Sequence, residues 1–112
     1  MMKRMVLLSL LILFISGCSG ITGKDSFQNS VKNIAVLLEE ERWPDVRKEC
    51  RELLNIYRKN EWKLQLIGDE EEYEELFKCI NRLLTIAEEQ DKVRAKMELA
   101  TIRTIIENIY SL

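Results

Sequence analysis

Between Lys24 and Leu112 this chain contains one glycine, Gly68, and one proline, Pro44. So long a stretch almost free of breakers, rich in Leu, Glu, Lys and Arg, specifies helix throughout. Ser26 is a candidate cap for a first helix, with Phe27, Val31, Ile34 and Leu38 on one face at 4-3-4 spacing. That helix should end near Arg42, because the residue before Pro44 avoids the α region. Pro44 suits the first turn of a second helix, where its missing N–H costs nothing. Val46, Cys50, Leu53, Leu54, Tyr57 and Leu64 form the apolar side of that helix, and Gly68 is its candidate C-terminal cap. Asp69 with Glu72 has the spacing of a capping box for a third helix. Its core face is expected to be Tyr73, Leu76, Phe77, Ile80, Leu83, Leu84 and Ala87. Asp91 begins a fourth helix, unless Glu88-Glu89-Gln90, all good helix formers, carry the third straight through. The last stripe is Ala95, Leu99, Ile102, Ile106 and Ile109. Each stripe must be buried against another, so the expected fold is all-α, an antiparallel bundle of three or four helices.

The first twenty residues read differently. Met1-Met2-Lys3-Arg4 is a short cationic start, and Met5 to Ile15 is apolar except for Ser9. Small residues follow, which is the three-part layout of a secretory signal. The apolar run falls well short of the roughly 20 residues that span a bilayer. Ile15-Ser16-Gly17-Cys18 resembles a bacterial lipobox. What that resemblance implies is cleavage before Cys18 and a diacylglycerol thioether on its sulfur, with acyl chains of the palmitate type. More than one acyl chain gives stable anchoring where a single chain does not. The expected division is therefore 1–17 as lipoprotein signal, 18–25 as lipidated cysteine and flexible tether, and 26–112 as the helical domain. The alternative is an uncleaved anchor. On either reading the domain belongs on the extracytoplasmic face of the cell membrane.

Charge narrows the partners. Residues 1–17 hold Lys3 and Arg4 and no acid, which leaves 15 basic and 19 acidic side chains and a net charge of −4. That balance argues against a sequence-independent grip on nucleic acid. It argues equally against electrostatic binding to anionic lipid, leaving the anchor as the expected membrane contact. Histidine is absent, which removes the commonest metal ligand and the usual general base. No nucleophile–base pair, phosphate loop or metal spacing occurs, so neither an enzyme nor a cofactor is expected.

The order of several weak motifs is informative. Trp43, Lys59-x-x-Trp62, the run Gly68-Asp69-Glu70-Glu71-Glu72-Tyr73-Glu74, and Ile106-Glu107-Asn108-Ile109-Tyr110 together resemble the bacterial family called domain of unknown function 4363. The resemblance implies a small helical extracytoplasmic protein of mainly Gram-positive bacteria. It also implies a multi-spanning membrane protein as neighbour and candidate partner. Many members carry histidines where this chain has Glu70 and Asn108, so any chemistry of those histidines is lost here.

Three features need weighing. Asp69 to Glu75 holds six acids in seven residues. An oxygen-rich cluster can take Ca²⁺, but successive helical positions splay, and acids at a helix start also complement its dipole. Cys50 lies on an apolar stripe and Cys79 at the edge of one. They read as two free thiols, although a bridge between the second and third helices is open in an oxidising compartment. A faint echo of Val46-Arg47 in Val93-Arg94, 47 residues on, reads as chance. Finally, Trp62 follows Leu53 by nine residues, which at about 100° per residue places it half a turn from the core stripe. Leu66 shares its side. Either a bend or a neighbouring helix covers Trp62, or Trp62 and Leu66 form an exposed anchor for a partner. The functional expectation is an adaptor for a membrane or envelope protein, with a binder of a small ligand or cell-wall fragment as the alternative.

Overall fold

The computed structural model describes residues 22–111. The leader 1–17, the lipobox residues Ile15, Ser16 and Gly17, and Cys18 lie outside the described residues. Four helices follow one another: α1 (Lys24–Glu39), α2 (Trp43–Ile67), α3 (Glu70–Glu88) and α4 (Lys92–Ile109). Among the described residues there is no strand. Each helix packs on its neighbours in the chain, and α1 closes the ring against α4. Contacts fix the directions. The Tyr110 hydroxyl donates to the Thr22 carbonyl at 2.6 Å, while Lys96 Nζ meets Glu39 Oε1 at 2.6 Å at the other end of the same pair. Up-down-up-down order results, as short connections require.

The helix ends depart from the sequence reading in instructive ways. α1 begins at Lys24, before the expected cap Ser26, and stops at Glu39 rather than near Arg42. Its N-cap is Gly23, at φ 80°, a left-handed conformation that only glycine adopts at low cost. A Cβ there would also lie 2.5 Å from Asn60 Oδ1. Asp69 does stand at the N-cap of α3, but its side chain makes no capping hydrogen bond, so the expected box with Glu72 does not form. Glu70, Glu71 and Glu72 in the first turn already oppose the positive helix end. Asp91 is a true cap, accepting from Arg94 N–H at 3.1 Å. Gly68 ends α2 in an extended conformation, and its missing side chain leaves room for Ile109.

The turns after α1 and α3 are the same device. Glu41 and Gln90 have φ near +55° (53° and 56°). Glu41 N–H bonds Leu38 C=O and Arg42 N–H bonds Leu37 C=O; Gln90 N–H bonds Ala87 C=O and Asp91 N–H bonds Ile86 C=O. Both are Schellman motifs built without glycine. This is why α3 and α4 separate despite a junction of good helix formers.

These turns expose a structural repeat. Residues 49 apart occupy equivalent places: Phe27 and Leu76, Val31 and Ile80, Ile34 and Leu83, Leu38 and Ala87 in the first helix of each hairpin are all buried. So are Val46 and Ala95, Cys50 and Leu99, Leu53 and Ile102, and Tyr57 and Ile106 in the second. Ser30 Oγ donates to Glu49 Oε1 at 3.2 Å. Cys79, equivalent to Ser30, faces Glu98, equivalent to Glu49, whose charge helps push the thiol up to about 12. The echo at 47 residues is therefore out of register with the structural repeat. Two helical hairpins of one design pair to make a single core.

Within α3 the buried face is Leu76, Cys79, Ile80, Leu83, Ile86 and Ala87. Cys79 thus sits fully inside, rather than at the edge, while Phe77 is 39% exposed and tilts against Tyr57 with ring centroids 5.3 Å apart. Tyr73 and Leu84 are half-buried, as is Leu54 on α2. The face is turned toward the side that meets α4, so position 79 enters the core and position 77 leaves it.

Candidate functional site on the outer faces

Chemistry inside the bundle is quiet. Cys50 and Cys79 are unpaired and buried, and burial pushes both thiols up to about 12. A thiol held neutral in that way is a poor nucleophile and metal ligand. Among the described residues every buried side-chain nitrogen or oxygen has a hydrogen-bond partner, and no three acids or cysteines converge. The acidic run Asp69 to Glu75 is splayed around the start of α3.

The surface is more distinctive. Trp62 is 60% and Leu66 76% exposed, so α2 neither bends nor is overlaid to cover them. Lys63 Nζ stands 5.5 Å from the Trp62 ring centroid, within cation–π range. Following the outer side of α2 back from Trp62 gives Lys59, Arg58, Asn55, Arg51 and Lys48, all exposed. These positions recur every three or four residues and share one stripe. Of the acids of α2, Asp45, Glu49 and Glu61 fall on its flanks, while the exposed Glu52 lies beside Lys48 and Asn55 at the edge of the stripe. Among the described residues Lys48, Arg51, Arg58 and Lys59 pair with no carboxylate, as is also so of Lys24, Lys32, Arg47, Lys63, Lys78 and Arg103, whereas Arg42, Arg82, Lys92, Arg94 and Lys96 do.

The corresponding side of α4 carries no cation; Glu107, at the place of Arg58, edges a stripe that is otherwise uncharged. It reads Val93, Met97, Ala100, Thr101, Thr104 and Asn108, all exposed, with Val93 and Met97 at 69% and 67%. Thr101 and Thr104 turn their hydroxyls onto the carbonyls of Met97 and Ala100, so even these polar atoms are satisfied within the helix. Sequence reasoning found Trp62 and Leu66 but missed both stripes. The signal was there as a run of charges, or of none, at helical spacing.

The end of the bundle where the described chain begins is tied down twice. Thr22 is held by Tyr110, and Gly23 packs on Asn60, two residues from Trp62. Clefts between helices are open to solvent. One between α1 and α4, with Val31, Ala35 and Ile106 as floor and Lys32, Arg103 and Glu107 as rim, encloses about 360 Å³. Among the described residues no helix is long and apolar enough to cross a membrane.

Fold and surface together define a small four-helix module whose distinctive groups lie outside, on opposite helices, rather than in an interior pocket. Residues 21–112 match the family described as Domain of unknown function (DUF4363), and the chain belongs to that family. No curated protein and no solved structure matches it.

Proposed function

We propose that this protein is a lipid-tethered extracytoplasmic adaptor, held at Cys18 and binding a membrane or envelope protein through its helical bundle. The observation that supports this reading is the outer stripe of α4 from Val93 to Asn108, uncharged but for Glu107 at its edge. Val93 and Met97 stay exposed there although the core is complete without them. Small residues beside them, Ala100 and Thr104, allow another helix to approach closely. A binding module needs no catalytic group, and the buried high-pKa thiols agree with that. A photo-reactive residue in place of Met97, in native membranes, should yield one discrete protein adduct. No adduct would count against the adaptor.

The cleft between α1 and α4 supports a second reading, a small ligand held between helices. Its 360 Å³ lies within the range of ligand sites, but it lacks a buried polar group to orient a molecule. Heat-unfolding shifts with cell-wall fragments, abolished by Ala35→Trp, which fills the cleft from its half-buried floor, would favour the ligand.

A further inference from the structure

The fold does not require the cations on α2. Of the same places on α4 three are neutral and one is acidic: Met97 stands for Lys48, Ala100 for Arg51, Asn108 for Lys59 and the exposed Glu107 for Arg58 at the 49-residue spacing. Four cations on one stripe, unpaired among the described residues, in a domain of net charge −4, are therefore a concentrated feature rather than a solvated average. Trp62 and Leu66 continue that stripe. They lie beyond the repeated part, since α2 has 25 residues and α4 only 18. The extra turns thus carry an aromatic and an aliphatic side chain to the end of the bundle where the chain enters. Trp beside Lys is the pairing that sits at a bilayer's headgroup level, the ring in the interface and the ammonium reaching the phosphates.

We propose that the outer face of α2 lies against an anionic phospholipid surface, with Lys48, Arg51, Arg58 and Lys59 facing lipid phosphates. Trp62 and Leu66 enter the headgroup region. The inference rests on the membrane-tethered reading above: three residues lie between Cys18 and Thr22, a reach of at most about 14 Å over the four residue steps, which keeps the α2 end at the surface. Long, flexible, unpaired cations on a convex helix suit a fluid array of phosphates, which asks for no fixed geometry. From Lys48 to Leu66 the stripe runs about 27 Å, so contact along it lays the bundle on its side. α4, diagonally across the ring, then points away from the lipid and stays free for a protein.

The core lies wholly between Phe27 and Ile109, so the fragment 22–112 is a self-contained unit for the test. It is sedimented with phosphatidylcholine vesicles with or without about 30% phosphatidylglycerol, at about 0.05 and 0.5 M salt. Binding is expected only with phosphatidylglycerol and only at low salt. Arg51→Gln with Lys59→Gln should weaken it about 20-fold, and Trp62→Ala should weaken it further, whereas Arg103→Gln should leave it unchanged. Trp62 emission should shift to the blue on binding, against the constant signal of buried Trp43. Circular dichroism checks that each variant stays helical. No binding to anionic vesicles, or equal losses from Arg103→Gln, would overturn the proposal. Binding to polyglutamate but not to vesicles would assign the face to an acidic protein and overturn it as well. Because the vesicles contain no protein, this failure leaves the α4 adaptor face untouched, and a failed Met97 cross-link leaves the lipid contact untouched.

Discussion

The outer faces of α2 and α4 occupy equivalent places in two hairpins of one design, yet one is a row of cations and the other has no cation, only Glu107 at the edge of an uncharged stripe. The inner faces of the same helices have kept their pattern. Val46, Cys50, Leu53 and Tyr57 are buried at the positions of Ala95, Leu99, Ile102 and Ile106. Packing constrains every buried position of a repeated hairpin, because a lost side chain leaves a cavity. Solvent constrains the outside far less, so the outside is where the two hairpins are free to differ.

The comparison is broken most severely from inside. Leu53→Ala and Ile102→Ala, at equivalent buried sites, should each cost about 2–5 kcal/mol in urea unfolding. A large cost at one and none at the other would mean that the hairpins do not share a core. The next largest effect is alkaline. Burial pushes Cys50, Cys79, Tyr57 and Tyr110 up to about 12. The unfolded chain sheds these protons from about pH 9 upward while the folded chain keeps them, so ionisation favours unfolding. Stability should be level through neutral pH, where no histidine titrates, and fall between about pH 9 and 12. A decline beginning near pH 6 would contradict these assignments.

A smaller effect sharpens the repeat. Glu41→Gly and Gln90→Gly should each stabilise by roughly 0.3–1 kcal/mol, since relief of the left-handed strain exceeds the entropy glycine adds to the unfolded chain. Destabilisation at both would mean that the side chains, not the backbone, hold the turns. Smallest of all, exchanging the outer residues through Lys48→Met and Met97→Lys should change stability by less than about 0.5 kcal/mol. A larger change would show that the two faces are structural after all.

Much of this fold was readable in the residues because a helical stripe is a strong signal. Phe27, Val31, Ile34 and Leu38, and all five apolar positions of α4, are buried as their spacing requires. The breaks were harder. Schellman turns with Glu41 and Gln90 in the glycine position leave no breaker in the sequence, so the end of α1 was placed too late and the junction at Glu89-Gln90 stayed ambiguous. Phe77 and Cys79 exchanged places because the face of α3 turns by a fraction of a residue step, which side-chain size does not reveal. The repeat was hidden because what recurs is burial rather than identity. On the surface, half a turn between Leu53 and Trp62 correctly placed the tryptophan opposite the core. Net charge misled. A value of −4 argued against anionic surfaces while averaging the cations of α2 with six acids packed into Asp69 to Glu75.

The orientation of the two faces is open to one direct measurement. The protein, carrying the lipid proposed on Cys18, is placed in phosphatidylglycerol vesicles whose acyl chains carry bromine, which quenches nearby indoles. Trp62 should be quenched, and a tryptophan introduced on α4 by Met97→Trp in a Trp62→Phe background should not, with Trp43 unquenched in both. Equal quenching at the two faces, or quenching on α4 alone, would contradict the assignment of α2 to the membrane.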